Sequence, residues 1–350
     1  MEISTAGGFP LQNFKYMKNR LFLTGALLVW LAGCEQRELT EVPEATQATF
    51  DLEMTPVEIP GIKSLRGMPV DLKGRMQSGK SSSGLQQDVA LINEQLIPYG
   101  IQLEKMEYFT AQGAGQTVFF KDTGNKRLAS DFVPNDPRNA LPGTDIPYIV
   151  DGTQATTASG LNVLAPIDAV MATWDNVSCA DGFSIYNAGV FPSDIGFVSN
   201  FFFGFGGSSG FFPGVIVHAG VLPKAFFDLV DVNGGNFILG VTFTLTYIED
   251  INQDGKGDVA IKEVYYNDAF NWQDVVATGS GVDFQTVALH EVGHALSQAH
   301  FGKVTRTEAN GKVHFSPRAL MNAGYSGVNR VVEKTDKAGF CSNWSNWPNN

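Results

Sequence analysis

The sequence predicts an α+β fold, a small N-terminal α+β segment followed by a larger domain. Two stretches point to it. From Val282 to Ala299, the residues Val282, Phe284, Val287, Ala288, Leu289, Val292, Ala295 and Leu296 recur at helical spacing. From Phe237 to Tyr247, Val241, Phe243, Leu245 and Tyr247 alternate with threonines, as in a strand with one buried face. With 350 residues, 43% of them hydrophobic, the chain can bury a substantial core in one or two domains. A net charge of −12 argues against a nucleic-acid partner, since phosphates demand clustered Lys and Arg.

Residues 1–34 read as a secretory signal. Lys18 and Arg20 precede the apolar run Leu21 to Leu31, and small residues follow, in a segment too short for a spanning helix. Leu31-Ala32-Gly33-Cys34 resembles a bacterial lipobox. That resemblance implies acylation of Cys34, anchorage to a membrane through the lipid, and Met17 as the true start. Glu35 stands where an aspartate would resemble an inner-membrane retention signal, which points to the outer membrane or cell surface. An ordinary signal peptide with an incidental cysteine explains the same run. No later segment has the roughly 18 apolar residues of a membrane span.

Residues 35–60, rich in Glu, Thr and Pro, have the composition of a flexible tether. Residues 61–155 are expected to form an accessory or pro-segment. Within it, Gly74 to Gly84 reads as a serine-rich loop, and Leu85, Val89, Ile92 and Leu96 as a helix stopped by Pro98. Ile101–Phe109 and Thr117–Lys121 follow as strands. In residues 156–350 a helix is expected over Ala165–Val177, from Ile167, Val170, Met171 and Trp174 after Pro166. Strands are expected at Ile195–Ser199, Val215–Ala219, Phe237–Tyr247 and Val259–Tyr266. Phe201–Phe212, phenylalanines among glycines and serines, reads as a mobile apolar loop that either meets a ligand or packs over the sheet.

Asp250, Asn252, Asp254 and Asp258 place oxygen donors at alternate positions with Gly255 sixth, like the start of a calcium loop. Position twelve is Ile261 where such a loop has a bidentate glutamate, and a tight Asx-type turn between strands explains the same residues. If lipidation takes Cys34, then Cys179 and Cys341 remain as an even pair for a disulfide in an oxidising compartment; two buried thiols are the alternative.

The most informative run is His290-Glu291-Val292-Gly293-His294-Ala295-Leu296-Ser297-Gln298-Ala299-His300. One helical turn separates His290 from His294, roughly 6 Å on one face, the reach of two imidazoles on one zinc ion. His300 would lie about 15 Å from His290 on a straight helix, so the chain must break near Ser297 for it to join them. Three imidazoles leave a fourth position for water, the pattern of a catalytic zinc with Glu291 as general base. His218 and His314 have no such neighbours and read as structural.

The run resembles the metzincin zinc peptidases, whose signature is His-Glu-x-x-His-x-x-Gly-x-x-His followed by a methionine turn. Met321, 21 residues past His300, fits that turn, and Ser297 replaces the family glycine at a cost of about 1–2 kcal/mol if φ is positive. Tyr265-Tyr266-Asn267-Asp268-Ala269-Phe270-Asn271-Trp272 and the tail Cys341-Ser342-Asn343-Trp344 look like secreted bacterial matrixin-like members. The resemblance covers roughly residues 160–350. It implies a twisted mixed sheet with an active-site helix, and zinc on His290, His294 and His300. It also implies an endopeptidase in which a zinc-activated water attacks while Glu291 takes its proton. Met321 would floor the site, and Tyr325 is a candidate oxyanion donor. An extended protein or peptide substrate would pair with an upper edge strand, for which Phe237–Tyr247 is the candidate. The cysteine-switch sequence of some matrixin propeptides is absent. Two other readings use the same residues. One is a non-catalytic surface lipoprotein that binds a protein or glycan around a structural zinc. The other is a peptidase whose third ligand is a distant glutamate.

Overall fold

The computed structural model describes residues 54–58, 92–111, 113–115, 117–119, 130–274, 281–310 and 312–349, all within one compact unit, Thr49–Asn350. Met17, Cys34, the signal over 1–34, most of the tether and the loop at 74–84 lie outside the described residues. So do Leu85 and Val89, whereas Ile92 and Leu96 are buried on residues 92–96, which are helical.

The strands are β1 (Val57–Glu58), β2 (Ile101–Thr110), β3 (Thr117–Phe119), β4 (Ser130–Asp131), β5 (Ile146–Asp151), β6 (Ile185–Phe191), β7 (Gly210–Phe211), β8 (Val215–Leu222), β9 (Ile238–Tyr247), β10 (Gly257–Asn267), β11 (Trp272–Gln273), β12 (Val282–Asp283), β13 (Lys303–Arg306) and β14 (Val313–Ser316). The helices named here are α1 (Leu164–Asp175), α2 (Phe197–Phe201), α3 (Lys224–Val230), α4 (Phe284–Ala295) and α5 (Lys334–Trp344). The fold is α+β around a mixed sheet of order β3-β2-β9-β10-β8-β5-β6, with β4 beside β10. β10, β8, β5 and β6 run parallel, while β9, β2 and β3 each pair antiparallel with their neighbours.

Two apolar cores follow from the two sheet faces. On one, Ile167, Val170, Met171 and Trp174 of α1 pack with Val287, Leu289 and Val292 of α4 and Phe340 of α5. On the other, Phe197 and Phe201 of α2 and Phe226 and Phe227 of α3 meet Val217, Val241 and Phe243. Alternation along β9 feeds both: Val241, Phe243 and Leu245 enter the second core, and the threonines between them face α4.

Several expectations are corrected here. Phe237–Tyr247 is not an edge: β9 lies between β10 and β2, paired along both sides. β2, β3, β4 and β5, all before residue 156, pair within the same sheet arrangement as the later strands. Ile195–Ser199 contains no strand, its last three residues opening the short helix α2. The buried Glu263 carboxylate accepts the Phe197 and Val198 N–H groups at 2.8 Å each, and these amides then cannot join a ladder. The phenylalanine-rich stretch packs over the sheet, with Phe201, Phe202, Phe211 and Phe212 buried. The tether's end is ordered, Val57 pairing with Phe211.

Candidate metal centre

Helix α4 is fixed at both ends by its own sequence. Asp283 caps it, accepting the Thr286 N–H at 2.9 Å and the Thr286 hydroxyl at 2.6 Å, while Arg330 grips the same carboxylate. Indole N–H groups hold it from the side: Trp174 donates to Leu289 O at 3.0 Å and Trp344 to Leu296 O at 3.1 Å. At its end Ser297 takes φ 64°, and Ser297 N–H and Gln298 N–H donate to His294 O and Gly293 O at 2.9 and 2.8 Å. That paired closure reverses the chain, so the helix stops at Ala295, short of the expected Ala299, and His300 comes back to the other imidazoles.

The three Nε2 atoms converge. His294 Nε2 lies 3.0 Å from His290 Nε2 and 3.1 Å from His300 Nε2. His290 Nδ1 donates to Leu320 O and His294 Nδ1 to Gln298 O, each at 2.8 Å. Both rings therefore carry their proton on Nδ1 and turn bare lone pairs toward each other, an arrangement that a shared cation relieves. A tetrahedral zinc with bonds of about 2.0–2.1 Å would set its nitrogens about 3.3 Å apart, close to the observed spacing. Burial pushes all three histidines down to about 3, so they stay neutral, the form that binds a metal. Among the described residues, no other group of three or more His, Cys, Asp or Glu side chains comes together tightly enough for an ion. The residues present fit zinc.

Glu291 points from α4 onto β9. Its Oε2 accepts the Thr242 hydroxyl at 2.6 Å, and Oε1 is buried without a hydrogen-bond partner. Gly240 makes room, because a Cβ there would lie 2.8 Å from Glu291 Cγ. Burial raises the Glu291 carboxyl well above the usual carboxylate range, against the Thr242 bond that lowers it.

Met321 lies under the centre, 2% exposed, and a side chain at Gly293 would collide with its Sδ. Its turn is held by Asp336 of α5, whose oxygens accept Leu320 N–H and Met321 N–H at 2.9 and 3.0 Å. Leu320 O in turn orients His290, and Phe301 N–H donates to Met321 O at 2.7 Å, tying His300's neighbour to the same turn.

Tyr325, the candidate oxyanion donor, is set against the start of α4. Its hydroxyl accepts the Asp283 N–H at 3.1 Å, seven residues and about 10 Å of helix before His290. Asp250 accepts Gly255 N–H, Asp254 is paired with Lys256, and Asp258 accepts Ile251 N–H and is bridged to Arg138. Backbone amides and Arg138 thus take Asp250 Oδ2 and Asp258 Oδ2, while Asp250 Oδ1 and Asp258 Oδ1 are buried without a hydrogen-bond partner, in the loop between β9 and β10. His218 is buried with Nδ1 3.1 Å from the Tyr266 hydroxyl, and His314 sits on β14 with Nε2 2.9 Å from the Thr307 hydroxyl.

Four site residues were missed from sequence: Phe109 and Glu107 of β2, Thr117 of β3, and Asp336. Phe109 stacks on the His290 ring with centroids 4.0 Å apart. Glu107 Oε1 lies 3.4 Å from His294 Nδ1, and Thr117 Oγ1 lies 3.3 Å from His300 Nδ1. Burial alone would raise Glu107, but His294, Lys105 and His300 hold it down at about 2. Three charged residues within Glu104–Glu107 of a strand otherwise fit for a core were the available signal. Compared with known proteins, the chain matches no protein-family model and no curated protein.

Proposed function

We propose that the chain is a zinc-dependent endopeptidase of metzincin, matrixin-like type, a lipoprotein held at the bacterial outer membrane or cell surface through Cys34. One observation carries the reading: three imidazole Nε2 atoms meet beside a buried carboxyl oxygen, Glu291 Oε1, that has no partner. A structural metal site has no use for that carboxyl. Zinc bound by His290, His294 and His300 would supply Lewis acidity for the scissile carbonyl and an activated water. Thr242 holds Glu291 Oε2, leaving Oε1 to take a proton from the attacking water and pass it to the departing amine. Met321 and Asp336 keep His290 oriented through Leu320 O. The bend at Ser297 keeps His300 in place, which disfavours a distant glutamate as third ligand.

The zinc-loaded chain is expected to cleave casein or a peptide library in a chelator-sensitive way. Glu291→Gln should keep one zinc and lose roughly 10²–10⁴-fold in rate. Undiminished cleavage by that variant would remove Glu291 from the mechanism. A second reading, a non-catalytic lipoprotein around a structural metal, is favoured by burial, since His290, Glu291 and His294 are each 0% exposed. It predicts zinc uptake with no cleavage under any condition.

A further inference from the structure

That burial has a specific source. β2 pairs antiparallel with β9 from Ile101 opposite Tyr247 to Thr110 opposite Ile238. Its end then runs between β9 and the segment after Met321. Ala111 N–H donates to Phe237 O at 2.8 Å on one side, and Tyr325 N–H donates to Thr110 O at 2.8 Å on the other. Gly115 N–H donates to Ala323 O, and Thr110 bridges Gly324 in parallel. Main-chain bonds on both flanks of an extended segment are what an added peptide strand makes in a slot.

The same hairpin touches all three imidazoles of the centre. Phe109 covers His290, with ring centroids 4.0 Å apart. Glu107 faces His294 and Thr117 faces His300. We propose that the β2–β3 hairpin is a built-in occupant of the substrate cleft, and that an extended peptide enters by displacing it from β9. This regulation rests on the peptidase reading above.

The strand's chemistry suits a removable occupant. Leu103, Met106 and Tyr108 anchor one face in the second core. The other carries Lys105 and Glu107, paired at 2.8 Å, beside Glu104, whose two buried oxygens have no hydrogen-bond partner. Across from them Lys262 of β10 is fully buried, its Nζ 2.9 Å from the Thr244 hydroxyl. Buried charge and unpaired carboxylate oxygens hold a strand less tightly than apolar side chains would. A substrate backbone would reproduce the ladder on β9 that the hairpin gives up.

The test uses the full chain loaded with zinc, a tripeptide hydroxamate as probe, and hydrogen–deuterium exchange over residues 101–110. The probe should raise exchange across 101–110. Glu107→Ala and Phe109→Ala should each bind it at least tenfold more tightly than the parent and cleave peptides at least tenfold faster. Probe binding with 101–110 still protected, and no gain in either variant, would overturn the proposal. If neither variant folds, the exchange experiment on the parent chain decides alone. A chain that takes up no zinc fails differently, sinking the peptidase reading itself and this inference with it.

Discussion

Ser297 turns the chain with φ 64°, a conformation that disfavours any residue with a Cβ, and its buried hydroxyl has no partner. Ser297→Gly should relieve about 1–2 kcal/mol of left-handed strain while adding roughly 0.5–1 kcal/mol of unfolded-chain entropy. Losing the unsatisfied hydroxyl adds to the gain. The variant is expected to be more stable by about 1 kcal/mol in urea unfolding, with zinc content unchanged. At this scale the sequence was most legible for the ligands, because His290, His294 and His300 advertise themselves by residue type and spacing. The place of Tyr325 after Met321 made it only a candidate oxyanion donor, and the fold sets its hydroxyl against the Asp283 N–H at the start of α4.

Among the elements, β8 carries a pH-sensitive group that the centre does not use. Burial lowers His218 to about 3, so the folded chain refuses a proton that the unfolded chain accepts near the usual 6.5. Its stabilising contribution is complete above pH 6.5 and is lost as pH falls from there toward 3, by up to about 1.4 kcal/mol per pH unit. His218→Gln should flatten that part of the stability curve; equal slopes for the two chains between pH 6 and 4 would contradict it. Alternation made β9 readable as a strand, but the same pattern suits an edge and an interior position, and only β2 on its free side decides between them. Likewise Asp250 to Asp258 offered oxygens at calcium spacing, and only the fold set Lys256 against Asp254 and Arg138 against Asp258.

For the molecule as a whole, the Cys179–Cys341 disulfide ties the chain beyond α1 to α5, with Cα atoms 5.7 Å apart and a sequence separation of 162. Closing so long a loop stabilises by at most about 5 kcal/mol in the chain-entropy model. Replacing both cysteines with alanine should therefore lower unfolding stability by several kcal/mol and loosen the Trp344 and Asp336 contacts to the centre. Unchanged stability would mean the bridge adds nothing to the packing of Trp174 against Phe340, whose rings lie 5.3 Å apart. No helix among the described residues is long and apolar enough to cross a membrane, so anchorage at Cys34 remains a proposal carried by the sequence.

The sequence by itself determined the helix, its break at Ser297, the strands at 215, 237 and 259, and the three imidazoles. These depend on period, cap and residue type, all local quantities. Tertiary structure alone decided that β2 and β3 complete the sheet and cover the centre, since strand partners far apart in the chain leave no periodic trace. It also decided that Glu107, Phe109 and Asp336 act there, because their neighbours are supplied by elements more than a hundred residues away or by a turn that folding must first form.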